Sequence, residues 1–202
     1  MSVLRKRRAS QRRRRALFLA VRDDGEKPLA VLSIRGTDAD DPTDIATDAD
    51  AILTPWEAGG NVHEGFAKAL NEVRPTLDNA LKSINFKILF TGHSLGAALA
   101  TLQASVRRPD ALYTFGSPRV GDSQFMSRLS GVPGRRYVDC CDIVTRLPPE
   151  NCFVHVGEPY YIKLDRSIEF RPDLKNVTDD QNAAREDYLI RYCLEDRKRG
   201  SA

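Results

Sequence analysis

The chain has 202 residues, 41% of them hydrophobic and 29% charged, with 13 glycines, 11 prolines and a formal net charge of +3. That length supports one domain with a substantial core rather than two large ones. The composition excludes an intrinsically disordered, collagen-like or linker-like chain.

The charge is unevenly placed. Arg5-Lys6-Arg7-Arg8 and Arg12-Arg13-Arg14-Arg15 make a basic head, whereas residues 38–50 are acidic. Without the head the remainder is mildly acidic, so nucleic-acid binding by the folded body has no electrostatic support. Residues 1–15 are therefore expected to be a solvated, disordered head, with weak contact to an anionic membrane surface or RNA as its functional alternative, and residues 16–202 a single domain. The apolar run 16–21 is too short to span a membrane and leads into Arg22-Asp23-Asp24-Gly25 without a small-residue cleavage site, so no signal peptide is expected. Adjacent Cys140-Cys141, with Cys152 and Cys193 apart, match neither a disulfide framework nor zinc-ligand spacing, which makes a reducing cytoplasm the default expectation.

In chain order, residues 16–21 and 29–35 read as two strands of a hairpin around a turn-rich Asp-Asp-Gly. From 66 to 84 the apolar residues, among them Phe66, Leu70, Val73, Leu77 and Leu81, recur at helical spacing, and Pro75 is expected to kink that helix. A short buried strand at 87–91 precedes Gly92-His93-Ser94-Leu95-Gly96, and an alanine-rich helix follows at 97–106. Strands at 111–115 and 136–142 flank a helix at 123–129. A hairpin is expected from 154–156 and 160–164, joined by Gly157-Glu158-Pro159, and a terminal helix at 182–194. This alternation predicts an α/β fold with a mixed, largely parallel sheet and flanking helices.

The Gly92-x-Ser94-x-Gly96 spacing is weak as a pattern, but its strand–turn–helix setting is informative. Such a turn lifts a serine Oγ above the sheet edge. The glycines two before and two after it let strand and helix approach where a Cβ would clash, and the helix N-terminus directs positive partial charge toward a developing oxyanion.

Further motifs follow in a set order: Ile34-Arg35-Gly36-Thr37, Val62-His63-Glu64-Gly65-Phe66, Thr114-Phe115-Gly116-Ser117-Pro118-Arg119-Val120-Gly121-Asp122, Asp142-Ile143-Val144 with Leu147-Pro148-Pro149, and His155-Val156-Gly157-Glu158 before Tyr160-Tyr161. With the elbow they resemble the class 3 lipase family of α/β-hydrolases over about residues 31–164. The resemblance implies hydrolysis of carboxylic esters, acylglycerol or short-chain, without metal or organic cofactor. It makes Ser94 the nucleophile and Asp142, at the expected strand end, the acid that orients a histidine. Thr37 and the backbone N–H of Leu95 become the oxyanion hole.

A serine needs a base, and the chain has only His63, His93 and His155. His93 is expected to point away from the Oγ, and His63 to be structural. His155 is a candidate base at a position that is not the family's catalytic one. The family's histidine is expected later, so the chain is expected to stop short of it, which opens the alternative of a catalytically inactive module that binds acyl lipid or a protein partner. After the oxyanion residue, Asp38, Asp40, Asp41, Asp44, Asp48 and Asp50 dominate, with Ile45 where the resemblance implies tryptophan. Such an acidic lid favours soluble or short esters over anionic interfaces. Ala49 falls where a calcium loop starting at Asp38 needs its glutamate, so no metal is expected.

Overall fold

The computed structural model describes residues 5–12, 15–22, 25, 27–35, 52–150 and 152–188. Thr37, the acidic stretch 38–50 and Cys193 lie outside the described residues.

Strands β1 (Arg5–Arg12), β2 (Arg15–Arg22) and β3 (Leu29–Ile34) are followed by the short pair β4 (Leu53–Pro55) and β5 (Asn61–His63) and by helix α1 (Glu64–Leu81). Next come β6 (Lys87–His93), α2 (Leu95–Val106), β7 (Ala111–Phe115), α3 (Ser123–Arg128) and β8 (Gly134–Asp139). A 3-10 turn (Ile143–Arg146), β9 (Pro159–Ile162), β10 (Ile168–Phe170) and α4 (Leu174–Tyr188) complete the described elements. The main sheet runs β1-β2-β3-β6-β7-β8-β9-β10. Pairings from β3 to β9 are parallel, and those of β1 with β2, β2 with β3 and β9 with β10 antiparallel. The mixed, largely parallel sheet read from the sequence is what folds.

The principal core lies on one face of that sheet. Ile88 and Phe90 of β6, Leu32 and Ile34 of β3, and the α1 residues Phe66, Leu70, Leu77 and Leu81 are buried in one cluster with nearly all of α2. An all-round apolar helix of this kind belongs in an interior. Pro75 lies within α1, which continues past it. The Arg107 guanidinium donates to Leu81 O and Ile84 O, satisfying carbonyls at the α1 C-terminus that have no helical partner. A second, smaller cluster joins Cys140, Tyr161 and Ala184, with Val138 and Val177 against it. On the opposite face of the sheet Phe115, Tyr137, Tyr160 and Phe170 form a row, with successive ring centroids 5.1, 5.7 and 4.8 Å apart.

Four expectations need correction. Arg5–Arg12, expected to lie in a disordered head, forms strand β1 against β2; pairing at a sheet edge uses main-chain groups, and basic side chains are common on such edges. Strand β8 ends at Asp139, so Asp142 does not terminate it. The hairpin expected between 154–156 and 160–164 is instead β9 with β10, because Val154 makes a bridge to Gly121 and leaves β9 to pair with β8. Helix α4 begins at Leu174, eight residues before its predicted start at 182.

Candidate active site

Ser94 sits between β6 and α2 with φ 54° and ψ −127°, a conformation that L-residues hold only where the surroundings impose it. Its N–H donates to Phe115 O at 3.0 Å, while Ser94 O accepts from Ala97 N and Ala98 N at 2.9 and 3.3 Å. The main chain is thus fixed on both sides of the turn. The side chain makes no capping bond to the helix. A Cβ at Gly92 would overlap Gly96 O, which is the steric reason for a small residue two places before the serine. As the first residue of α2, Leu95 carries one of the N–H groups that have no acceptor within the helix.

Asp142 caps the 3-10 turn. Its Oδ1 accepts from Val144 N at 2.9 Å, and its own N–H donates to Asp139 O at 3.2 Å. Thr145 Oγ1 donates to Asp142 O at 2.8 Å. The other carboxylate oxygen lies directly over Gly116, where a Cβ would overlap it, and Gly116 has φ 55°. His93 Nε2 is 3.4 Å from the same position, so the exposed His93 ring and the Asp142 carboxylate flank one glycine at the carboxyl ends of β6 and β7.

The loop after Asp142 is held by Arg119. Its N–H donates to Leu147 O at 2.8 Å, and its guanidinium donates to Pro148 O at 2.8 Å, to Arg146 O and to Glu150. Asp122 anchors the other end of the same motif: it accepts from Phe125 N at 2.8 Å, and from Asn61 N and Nδ2 at 3.0 and 2.8 Å. Burial works to raise the Asp122 pKa, but these hydrogen bonds outweigh it and hold the carboxyl below its ordinary range. Gly116, Arg119 and Asp122 are positioning residues to which the sequence reading assigned no role; their signal was the motif 114–122, whose contacts cross to distant segments.

The three histidines have separate fates. His63 caps α1, its Nδ1 accepting from Gly65 N at 3.1 Å, and stacks on Phe66 at 4.4 Å between centroids. His155 is half-buried, and its Nε2 donates to Thr145 O at 2.8 Å. Burial, then the charges of Arg136 and Arg119, push its pKa down to about 3 against the opposing Thr145 bond, so it is neutral at physiological pH. Its Nδ1 is buried without a partner among the described residues. The His155 Nε2 is thus committed to Thr145 O. Ser94 Oγ donates no hydrogen bond to any of the three among the described residues. Strand β3 ends with Ile34 paired to Gly92, beside the elbow, and Thr37 follows three residues later in the sequence.

Residues 31–152 match the family model described as Lipase (class 3). A lipase of Rhizomucor miehei is 38% identical over 128 residues, covering 55% of this chain and 35% of that one. A secreted mono- and diacylglycerol lipase of Fusarium solani is 43% identical over 103 residues, 46% of this chain and 31% of that one. The chain thus spans about a third of the length of these relatives. Among solved structures, the mono- and diacylglycerol lipase of Aspergillus oryzae superposes with a TM-score of 0.68 at 26% identity, covering 83% of this chain and 68% of that one. The Rhizomucor miehei lipase in its propeptide complex gives 0.66 at 30% identity, covering 83% and 59%. Among the described residues no helix is long and apolar enough to cross a membrane.

Proposed function

The chain belongs to the class 3 lipase family, and from that premise we propose that it hydrolyses carboxylic esters of the acylglycerol or short-chain type, with Ser94 as the nucleophile. The observation that carries this reading is the strained Ser94 backbone at the start of α2, which sets a half-buried serine beside a helix N-terminus. In the family mechanism Ser94 Oγ attacks the ester carbonyl carbon and its proton passes to a histidine oriented by an acid, the position that Asp142 matches; none of His63, His93 and His155 makes that contact with Ser94 among the described residues. The oxyanion is held by the N–H groups of Leu95 and Thr37, worth about 2.7 to 4 kcal/mol for each donor by analogy with other hydrolases. Collapse expels the alcohol with that proton, and water then deacylates Ser94. The anionic stretch after Thr37 disfavours an anionic lipid interface.

A second reading, an acyl-lipid or protein-binding module without turnover, is favoured by one observation: His63 and His155 are engaged elsewhere, and neither bonds Ser94. Hydrolysis of a short-chain p-nitrophenyl ester by the chain, compared with Ser94→Ala and with buffer, separates the two. Turnover that disappears in Ser94→Ala, with fluorophosphonate labelling lost in parallel, is the expected result. Folded wild-type protein that behaves like Ser94→Ala overturns the hydrolase reading in favour of binding.

A further inference from the structure

Cys140 and Cys141 are consecutive, and their Sγ atoms lie 3.1 Å apart. Cys140 is buried against Tyr161 and Ala184 and its N–H donates to Ile162 O at 3.1 Å, whereas Cys141 is exposed. Packing accounts for Cys140, a small apolar side chain in a small core. It does not account for Cys141, which has no core to fill yet turns its sulfur back onto its neighbour. The pair stands between the last residue of β8 and Asp142, inside the turn closed by Asp142 N donating to Asp139 O.

We propose that Cys140 and Cys141 are a reversible modification site, a vicinal dithiol that a small-molecule disulfide oxidises to a Cys140–Cys141 disulfide, and that closure re-poses the turn carrying the Asp142 carboxylate. Cys141, the accessible sulfur, attacks as its thiolate on one sulfur of the oxidant; an S–S bond forms to Cys141 and the oxidant's own S–S bond breaks, releasing one thiolate. Cys140 then gives up its proton to solvent and attacks Cys141 Sγ, expelling the second thiolate. Both leaving thiolates take up the two protons lost by the cysteines. Two electrons pass from the protein to the oxidant, which ends as two thiols. Burial, then contact with Cys141 and the nearby Asp139, holds the Cys140 thiol above its ordinary pKa, so the second step quickens as pH rises.

Consecutive Cα atoms are about 3.8 Å apart across a trans peptide, closer than the roughly 4.4–6.8 Å of ordinary disulfides. The closed ring is therefore strained, and strained disulfides are the readily reduced, regulatory kind. Ring closure must also shift the backbone between Asp139 and Asp142, because Cys140 is tied to β9 and cannot follow freely.

The modification itself is independent of ester hydrolysis; only its consequence for catalysis rests on the reading of Asp142. The test uses the full chain with Cys152→Ser and Cys193→Ser, incubated with oxidised glutathione, alkylated and mapped by peptide mass spectrometry. The expected product lacks two hydrogens across Cys140-Cys141, takes up no alkylating agent and reverts with dithiothreitol. Hydrogen exchange at the Val144 amide, which donates to Asp142 Oδ1, should accelerate in the oxidised form. Glutathione retained on Cys141 with Cys140 still alkylated would overturn the site. A closed disulfide with unchanged Val144 exchange would overturn the coupling to Asp142. Both readouts stand whether or not the chain turns over an ester.

Discussion

The backbone of Ser94 is unfavourable for any residue with a Cβ, at a cost on the order of 1–3 kcal/mol. Ser94→Gly should therefore be more stable than Ser94→Ala by about 1 kcal/mol, less than the full strain because glycine loses more entropy on folding. Urea unfolding of the two variants measures this, and neither should hydrolyse an ester. Gly116 is under a double constraint, a positive φ and a carboxylate where its Cβ would go. Gly116→Ala should cost roughly 2–4 kcal/mol in the same assay and displace Asp142. His155 makes a prediction in pH. Its folded pKa of about 3 lies below the ordinary histidine value of 6.5, so between those values the unfolded chain takes up a proton that the folded chain refuses. Stability from this group is intact above pH 6.5 and falls with decreasing pH toward 3, at up to about 1.4 kcal/mol per pH unit. In His155→Gln the loss measured by denaturant unfolding at pH 7, 5 and 4 should be shallower by that amount.

At the scale of elements, the segment following Asp142 depends on one guanidinium. Arg119 is buried and serves two backbone carbonyls beside the exposed Glu150. Arg119→Ala should cost about 2–4 kcal/mol through the orphaned carbonyls, and Arg119→Lys should recover less than half, since an ammonium cannot reproduce the planar fork. Glu150→Gln should stay within about 1 kcal/mol, its side chain being 81% exposed. The contrast shows which parts were legible in the sequence. The elbow was, because Gly92 meets Gly96 only four residues away and the constraint is local. Asp142 was singled out by its motif, but its surroundings were not, because its carboxylate meets Gly116 and the loop after it is held by Arg119, both from segments distant in sequence. Strand β10 was missed, since three residues with mostly exposed side chains leave no alternation to read. Strand β1 was invisible for a related reason: its pairing is a main-chain matter, and its basic side chains have no apolar period.

Across the whole molecule, the two halves of the site stand on unequal ground. Ser94 leads into α2, whose side chains fill the principal core, whereas Asp142 follows Cys140, a member of the small cluster with Tyr161 and Ala184. Regions with few buried apolar contacts open at lower free energy than the global transition. Amides of β9 and α4 should exchange in sub-molar urea while those of β6 and α2 remain protected, and uniform exchange across all four would show a single cooperative unit. The chain would then lose Asp142, the proposed acid, before Ser94, the proposed nucleophile. Gentle denaturation would leave the elbow standing in a protein that keeps α1 and α2 but has lost α4, so inactivation would precede the main melting transition, and the working lifetime would be set by the subdomain built on the small cluster.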